Sequence, residues 1–348
     1  MDYSPGLRGV VAGETSISTV GREGTSLRYR GYDAVELTKN QTYEDVVSLI
    51  IDDSLDGTTF KNYYKSHFVD MFNNEFLNSV LTEIKNKMHP MDVLKVITSL
   101  VGEYEGKSRL DATARLSAVN CYVISVINNA VSTNFVDEYV VASSLLKDNA
   151  STEKIEALDD ILILYAEHGF NASTFATRVT ASTRSDLTSS IISGIGTLKG
   201  ELHGGANEKA VKMITQFSTV DQAKDGVLNL LSQKQKIMGF GHGVYKIQDP
   251  RSPIVKSWVE KLSVTDDAIN RFNIAKEIDR LMDSEKKLFP NVDFYGGLLL
   301  YELGFDIDLF TPIFVAGRIA GWSAHYFEQH DQDILIRPAA KYIGPSER

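Results

Sequence analysis

From Asp33 onward, apolar residues return every three or four positions almost to the end of the chain. That spacing matches one face of an α-helix and conflicts with the two-residue alternation of a half-buried strand. Thr42-Tyr43-Glu44-Asp45 has the form of a capped helix start and leads into Val46, Leu49 and Ile50. Phe76, Val80, Leu81 and Ile84 repeat the period, as do Val93, Leu94, Ile97, Leu100 and Val101. Residues 109–130 read as one long, mostly buried helix. Ser151-Thr152-Glu153-Lys154 opens another, which carries Ile155, Leu158, Ile161, Leu162 and Tyr165 toward His168. Further helices are expected over 186–199, 205–217, 220–234, 252–263, 266–287, 294–304 and 309–329. Only eight prolines interrupt 348 residues, and Pro90, Pro250, Pro253, Pro290, Pro312 and Pro338 fall at helix edges or in loops. The expected fold class is all-α.

The N-terminus is the exception. Val10-Val11-Ala12-Gly13, Thr15-Ser16-Ile17-Ser18-Thr19-Val20 and Ser26-Leu27-Arg28-Tyr29-Arg30-Gly31-Tyr32 read as small strands or a hairpin, with a turn signal at Gly21-Arg22-Glu23-Gly24. No 20–50-residue repeat, low-complexity tract or long polar linker divides the chain. Glycine-bearing loops near 203–206 and 239–243 predict a small lobe at 205–295, set in a discontinuous large lobe of 1–204 and 296–348. Two crossings between lobes would form a hinge.

A net charge of −10 argues against nonspecific nucleic-acid binding. The single cysteine, Cys121, excludes an intrachain disulfide, and its apolar run Val119–Ile127 makes it a core residue rather than a catalytic thiol. No unbroken apolar run approaches the roughly 18–20 residues of a membrane span. Met1-Asp2-Tyr3-Ser4-Pro5 lacks the features of a signal peptide, so the cytoplasm is the expected location.

Chemistry concentrates where histidine meets glycine. Only seven histidines occur, and three stand in Glu167-His168-Gly169, Leu202-His203-Gly204-Gly205 and Gly241-His242-Gly243. Glycine lets the backbone pass close to a ligand. His203 sits in a loop feeding a new helix, whose N-terminal N–H groups favour an anion or a developing oxyanion and would hold the imidazole neutral. The alternative is a capping histidine in a tight turn. Around His242, Lys246 and Arg251 supply cations suited to carboxylate or phosphate. Asp293, between Pro290 and an apolar run, is either an N-cap or a general base tuned by apolar surroundings. Arg318, in the midst of an apolar helix, must meet an acid or an anionic ligand. Arg337, in a C-terminal arm, is ambiguous alone. The spacings 168, 203, 242 and 293 fit no short metal-ligand pattern, so no metal is expected. No phosphate loop or nucleophile elbow is present, and Gly194-Ile195-Gly196 lies in a helical pattern, not after a strand.

Taken together, these segments resemble the citrate synthase family. The resemblance is carried by His168-Gly169-Phe170-Asn171-Ala172-Ser173-Thr174-Phe175, by Leu202-His203-Gly204-Gly205-Ala206-Asn207-Glu208 and by Met238-Gly239-Phe240-Gly241-His242-x-Val244-Tyr245-Lys246-x-x-Asp249-Pro250-Arg251. It continues in Pro290-Asn291-Val292-Asp293-Phe294-Tyr295-x-Gly297, Arg318-x-x-Gly321-Trp322-x-Ala324-His325 and Ile336-Arg337-Pro338. It implies a large and a small helical domain and a homodimer. It also implies the citrate-forming step of the tricarboxylic acid cycle, with oxaloacetate and acetyl-CoA as substrates and no cofactor beyond the CoA thioester. By the same resemblance, Asp293, His203 and His242 would be catalytic. His168, Arg251, Arg318 and Arg337 would bind oxaloacetate, Arg337 from the partner subunit, and Lys246 would lie near CoA. Gly243 stands where many bacterial relatives carry arginine, and Glu167 where aspartate is common, which bears on the choice of acyl-CoA. A 2-methylcitrate synthase using propionyl-CoA and a non-catalytic binding relative are the alternatives.

Overall fold

A computed structural model describes residues 4–7, 9–21 and 26–346. Among them are sixteen α-helices and one small antiparallel sheet. The sheet has strands β1 (Ser18–Val20), β2 (Leu27–Tyr29) and β3 (Tyr32–Asp33) in that order, with Ser18 opposite Tyr29 and Val20 opposite Leu27. Val10–Gly13 form no strand, and the Val10 N–H donates to the Leu7 carbonyl at 3.1 Å. Of the expected turn only Gly21 is described; Arg22, Glu23 and Gly24 lie outside the described residues.

The helical expectation holds closely. The capped start at Thr42 is a full capping box, with Asp45 bonding back to the Thr42 N–H. Pro90, Pro253 and Pro312 all sit in first turns, where a missing N–H costs nothing. Helices at Ala34–Asn40, Thr58–Phe72, Val140–Leu145 and Ala172–Ala181 fall within the helical stretch after Asp33 but were not individually expected. Cys121 is fully buried, its thiol pushed up to about 12 by burial.

Two long helices form the centre. Arg109–Ile127 packs on Thr58–Phe72 and on Phe310–Gln332. By length and composition alone it could cross a membrane, which a count of unbroken apolar runs passes over. In the fold it is mostly buried as a core helix. Phe310–Gln332 is buried on every side as far as Ala324. Its glycines admit the helix Thr152–Tyr165: a Cβ at Gly317 would lie 2.9 Å from the Tyr165 Cβ. At Gly321 it would strike the Ala166 carbonyl and the Glu167 carboxylate. Gly321→Ala is therefore expected to destabilise the protein by about 1–3 kcal/mol, since these backbones cannot separate freely. Denaturant unfolding checks this; an unchanged midpoint would refute it.

Five helices in the second half, Ala206–Thr215, Val220–Ser232, Ser252–Leu262, Asp266–Lys286 and Val292–Glu302, pack on one another. They meet the rest where Ser252–Leu262 lies on Thr152–Tyr165 and Ala206–Thr215 on Phe310–Gln332. The candidate site opens between these groups.

Candidate active site

The start of the helix Val292–Glu302 is tied to the glycine loop carrying His242. Gly241 N–H donates to the Phe289 carbonyl at 2.8 Å, Asn291 N–H to the Gly239 carbonyl at 2.9 Å, and the Asn291 amide to the Gly241 carbonyl at 2.9 Å. Gly239 and Gly241 have φ of 86° and 73°, conformations other residues rarely adopt. Asn291, not Asp293, is the N-cap: its side-chain oxygen accepts from the Asp293 N–H at 3.0 Å. The helix thus begins two residues earlier than expected, at Val292, and the Asp293 carboxylate is released from capping. Burial raises its pKa to about 6; Arg251 opposes this and Asp249 adds to it.

The three glycine-flanked histidines converge with Asp293, Arg251 and Arg318 on one cavity of about 360 Å³, walled also by Val20, Phe170 and Phe314. All three rings are held neutral. Burial, then Arg318, lowers His203 to about 4. Burial, then Arg251, lowers His242 to about 4. Burial, with Arg251, His242 and Arg318 following, holds His168 well below the usual range.

Two tautomers are legible from the backbone. His242 Nδ1 accepts the N–H groups of Val244 and Tyr245, both at 3.1 Å, so its proton sits on Nε2. His203 Nε2 accepts the Ser173 N–H at 3.3 Å, so its proton sits on Nδ1. This corrects the expected source of support. The amide belongs to the first turn of Ala172–Ala181, capped by Asn171, and not to the helix that follows His203. The Ser173 hydroxyl, 2.9 Å from the same nitrogen, is held by the Asn171 side chain and by Trp322.

His168 rides on a loop clamped from two directions. Glu167 Oε1 accepts from the Gly169 N–H, the Ser18 hydroxyl and His325 Nε2. Burial pushes the Glu167 carboxyl up, but His325, Arg318 and Ser18 outweigh it and lower its pKa. The Tyr29 hydroxyl lies 3.2 Å from the Glu167 carbonyl of the loop and 3.0 Å from the Ile163 carbonyl of the preceding helix, either of which can accept its proton.

The cations differ. Arg251 is paired to the buried Asp249 through Nε and Nη2 at 2.9 and 2.8 Å. Burial works against its charge, yet Asp249 prevails and raises its pKa. Asp249 also accepts the Val292 N–H, so one carboxylate aligns Arg251 and the Asp293 helix. Arg318 donates through Nε to the Tyr165 carbonyl at 2.6 Å and lies 4.8 Å over the Phe314 ring. Among the described residues no carboxylate comes within 4.0 Å of it, so the salt-bridge alternative fails and an anionic ligand remains. Burial lowers its pKa only to about 10, leaving it charged at neutral pH.

Two expected site residues are not brought in. Lys246 is exposed and donates to the Gly243 carbonyl at 3.2 Å, outside the cavity. Arg337 is exposed on the C-terminal arm, away from this chain's own cavity. Sequence reasoning missed Asp249, Tyr245 and the Glu167–His325 pair as structural supports. It also missed a second cavity of about 580 Å³ that shares Asn291 with the first and is rimmed by Lys234, Lys236 and Lys286. Among the described residues no three His, Cys, Asp or Glu side chains could share a metal ion.

Comparison with known proteins gives a consistent likeness. The family described as Citrate synthase, C-terminal domain, matches residues 6–339. A 2-methylcitrate synthase of Shewanella oneidensis is 41% identical, over 99% of this chain and 95% of that protein. Citrate synthase 2 of Bacillus subtilis is 34% identical, over 100% and 98%. The citrate synthase of Thermoplasma acidophilum, solved as a ternary complex with carboxymethyl coenzyme A and oxaloacetate, superposes with a TM-score of 0.87 at 28% identity, over 100% of this chain and 97% of that one. The Thermotoga maritima citrate synthase gives 0.83 at 31% identity, over 99% and 96%. The chain belongs to the citrate synthase family and is an acyltransferase of that type.

Proposed function

We propose that the cavity condenses oxaloacetate with a short acyl-CoA and then hydrolyses the thioester, giving a tricarboxylate and free CoA. One observation carries this reading: Asp293, with its carboxyl raised to about 6, shares a cavity with two neutral imidazoles of fixed tautomer and two arginines. Asp293 takes a proton from the carbon next to the thioester carbonyl. The Nδ1–H of His203 donates to the thioester oxygen as charge develops there. The Nε2–H of His242 polarises the oxaloacetate ketone, and the enol carbon attacks it. Water then cleaves the thioester, releasing the CoA thiol. Oxaloacetate is a dianion, so Arg318, Arg251 and His168 are assigned to its carboxylates.

The same reading takes the protein to be a cytoplasmic homodimer in which Arg337 reaches the site of the other subunit. Lys246 and the three lysines of the second cavity serve the CoA phosphates. No metal or further cofactor is called for. The lobe division 1–204 and 296–348 against 205–295 is part of it, with the second crossing moved off 295/296, which falls inside the helix Val292–Glu302. Closure of one lobe on the other would exclude water from the enol.

The acyl donor has two readings. The catalytic set suits acetyl-CoA, which yields citrate. The 41% identity to a 2-methylcitrate synthase, against 34% to a citrate synthase, favours propionyl-CoA. One methylene is worth about 1–3 kcal/mol of discrimination, so a clear ratio is expected. Thiol release from oxaloacetate with each donor, compared as kcat/KM, decides between them. Release with neither would overturn the proposed reaction.

Activity should depend on pH through Asp293. The base must be ionised, so kcat/KM is full above about 6 and falls about tenfold per unit below it. The histidines at about 4 stay neutral throughout and add no limb there. A pH–rate profile from 5 to 8 that stays flat would contradict this assignment.

A further inference from the structure

Tyr245 lies where three side chains assigned to oxaloacetate meet. Its phenol oxygen is 3.1 Å from His168 Nε2. Its ring centre is 5.4 Å from that of His168 and 4.6 Å from that of His242, and Arg251 Cζ lies 5.9 Å from it. Its backbone N–H is one of the two donors to His242 Nδ1. Tyr245 is only 1% exposed and does not line the cavity, so it is no substrate contact. Among the described residues, His168 is the single hydrogen-bond partner of its hydroxyl. The bond also joins the 205–295 segment to the 1–204 segment.

We propose that Tyr245 is a positioning residue for oxaloacetate, whose hydroxyl fixes the ring of His168 while its main-chain N–H fixes that of His242. This rests on the assignment of His168 to oxaloacetate made above. A neutral imidazole carries one proton, and the group facing each nitrogen selects where it sits. An unheld ring would have to be ordered at the moment of binding, which weakens affinity; a ring already held avoids that loss. The hydroxyl thus holds the His168 ring in place, and the main-chain N–H holds the His242 ring and sets its tautomer.

Tyr245→Phe removes the hydroxyl oxygen and leaves the N–H to His242 in place. The Kd and KM for oxaloacetate should rise roughly three- to tenfold, the effect of one neutral hydrogen bond. The kcat and the KM for acyl-CoA should stay within about twofold. In a His168→Asn background the same change should weaken oxaloacetate binding no further, because the two residues act through one contact. Unchanged oxaloacetate affinity, or losses that multiply in the double variant, would overturn the proposal. So would a fall in kcat with both KM values unmoved, which a merely structural role would give. If the wild type binds oxaloacetate calorimetrically but condenses nothing, the proposed reaction has failed while the Tyr245 cycle still decides this one. If it binds no oxaloacetate, both fall.

Discussion

Asp293→Ala is expected to lower kcat by roughly 10³-fold or more while leaving oxaloacetate binding within about threefold, because a positioned general base is worth about 10²–10⁴ and among the described residues no other carboxylate lines the cavity. Asp293→Asn is the sharper variant. It keeps the volume and keeps the Asn291 cap, which bonds the backbone N–H and not the side chain. What it removes is the ability to take a proton. Oxaloacetate affinity by calorimetry and turnover by thiol release separate the two effects. Turnover within tenfold of wild type would remove Asp293 from the role.

The same substitution carries a stability prediction of opposite sign. A carboxyl whose pKa is raised on folding is less comfortable charged in the native state than in the unfolded chain. The penalty is full above about 6 and disappears below the ordinary value of 3.8, where both states are protonated. At pH 7 it amounts to about 2–3 kcal/mol. Asp293→Asn should therefore be at least as stable as wild type at pH 7, and the difference should vanish near pH 4. A base held at this cost to stability fits a site kept for chemistry rather than for packing.

How far the sequence reveals this site depends on how local each determinant is. The helix Phe310–Gln332 was legible, as a period over 309–329, because its apolar residues recur at helical spacing; the close approach at its glycines appears only in the fold. Asp293 was not, since an aspartate ahead of an apolar run serves equally as cap or base. The choice falls to Asn291, whose side chain captures the Asp293 N–H first. The partner that sets His203 is 30 residues earlier, and the one on His168 is 77 residues later. No spacing rule reaches that far. The lysines of the second cavity come from two separate segments, 234–236 and 286, and nothing local announces their meeting. Arg318 was legible as a buried cation in need of an anion, but only the fold shows that among the described residues no carboxylate pairs with it and its Nε goes to the Tyr165 carbonyl.

His203→Ala should lower kcat by about 10²–10³, the measured scale for loss of one donor to a developing oxyanion, with little change in oxaloacetate affinity. The tautomer makes a finer test possible. The Ser173 N–H occupies Nε2, so the donor proton sits on Nδ1. An asparagine amide nitrogen lies near the place of Nδ1, whereas a glutamine amide reaches the place of Nε2. His203→Asn should therefore keep a measurable part of kcat, and His203→Gln should fall close to the alanine variant. The reverse order would mean that Nε2 is the donor, and the support assigned to the Ala172–Ala181 helix would be wrong. Equal activity in all three variants and wild type would mean that His203 does not touch the reacting thioester at all. Because His203 is already held neutral at about 4, its donor strength should not change between pH 5.5 and 8. The ratio of wild-type to His203→Ala kcat should then stay constant across that range, even as both follow the ionisation of Asp293.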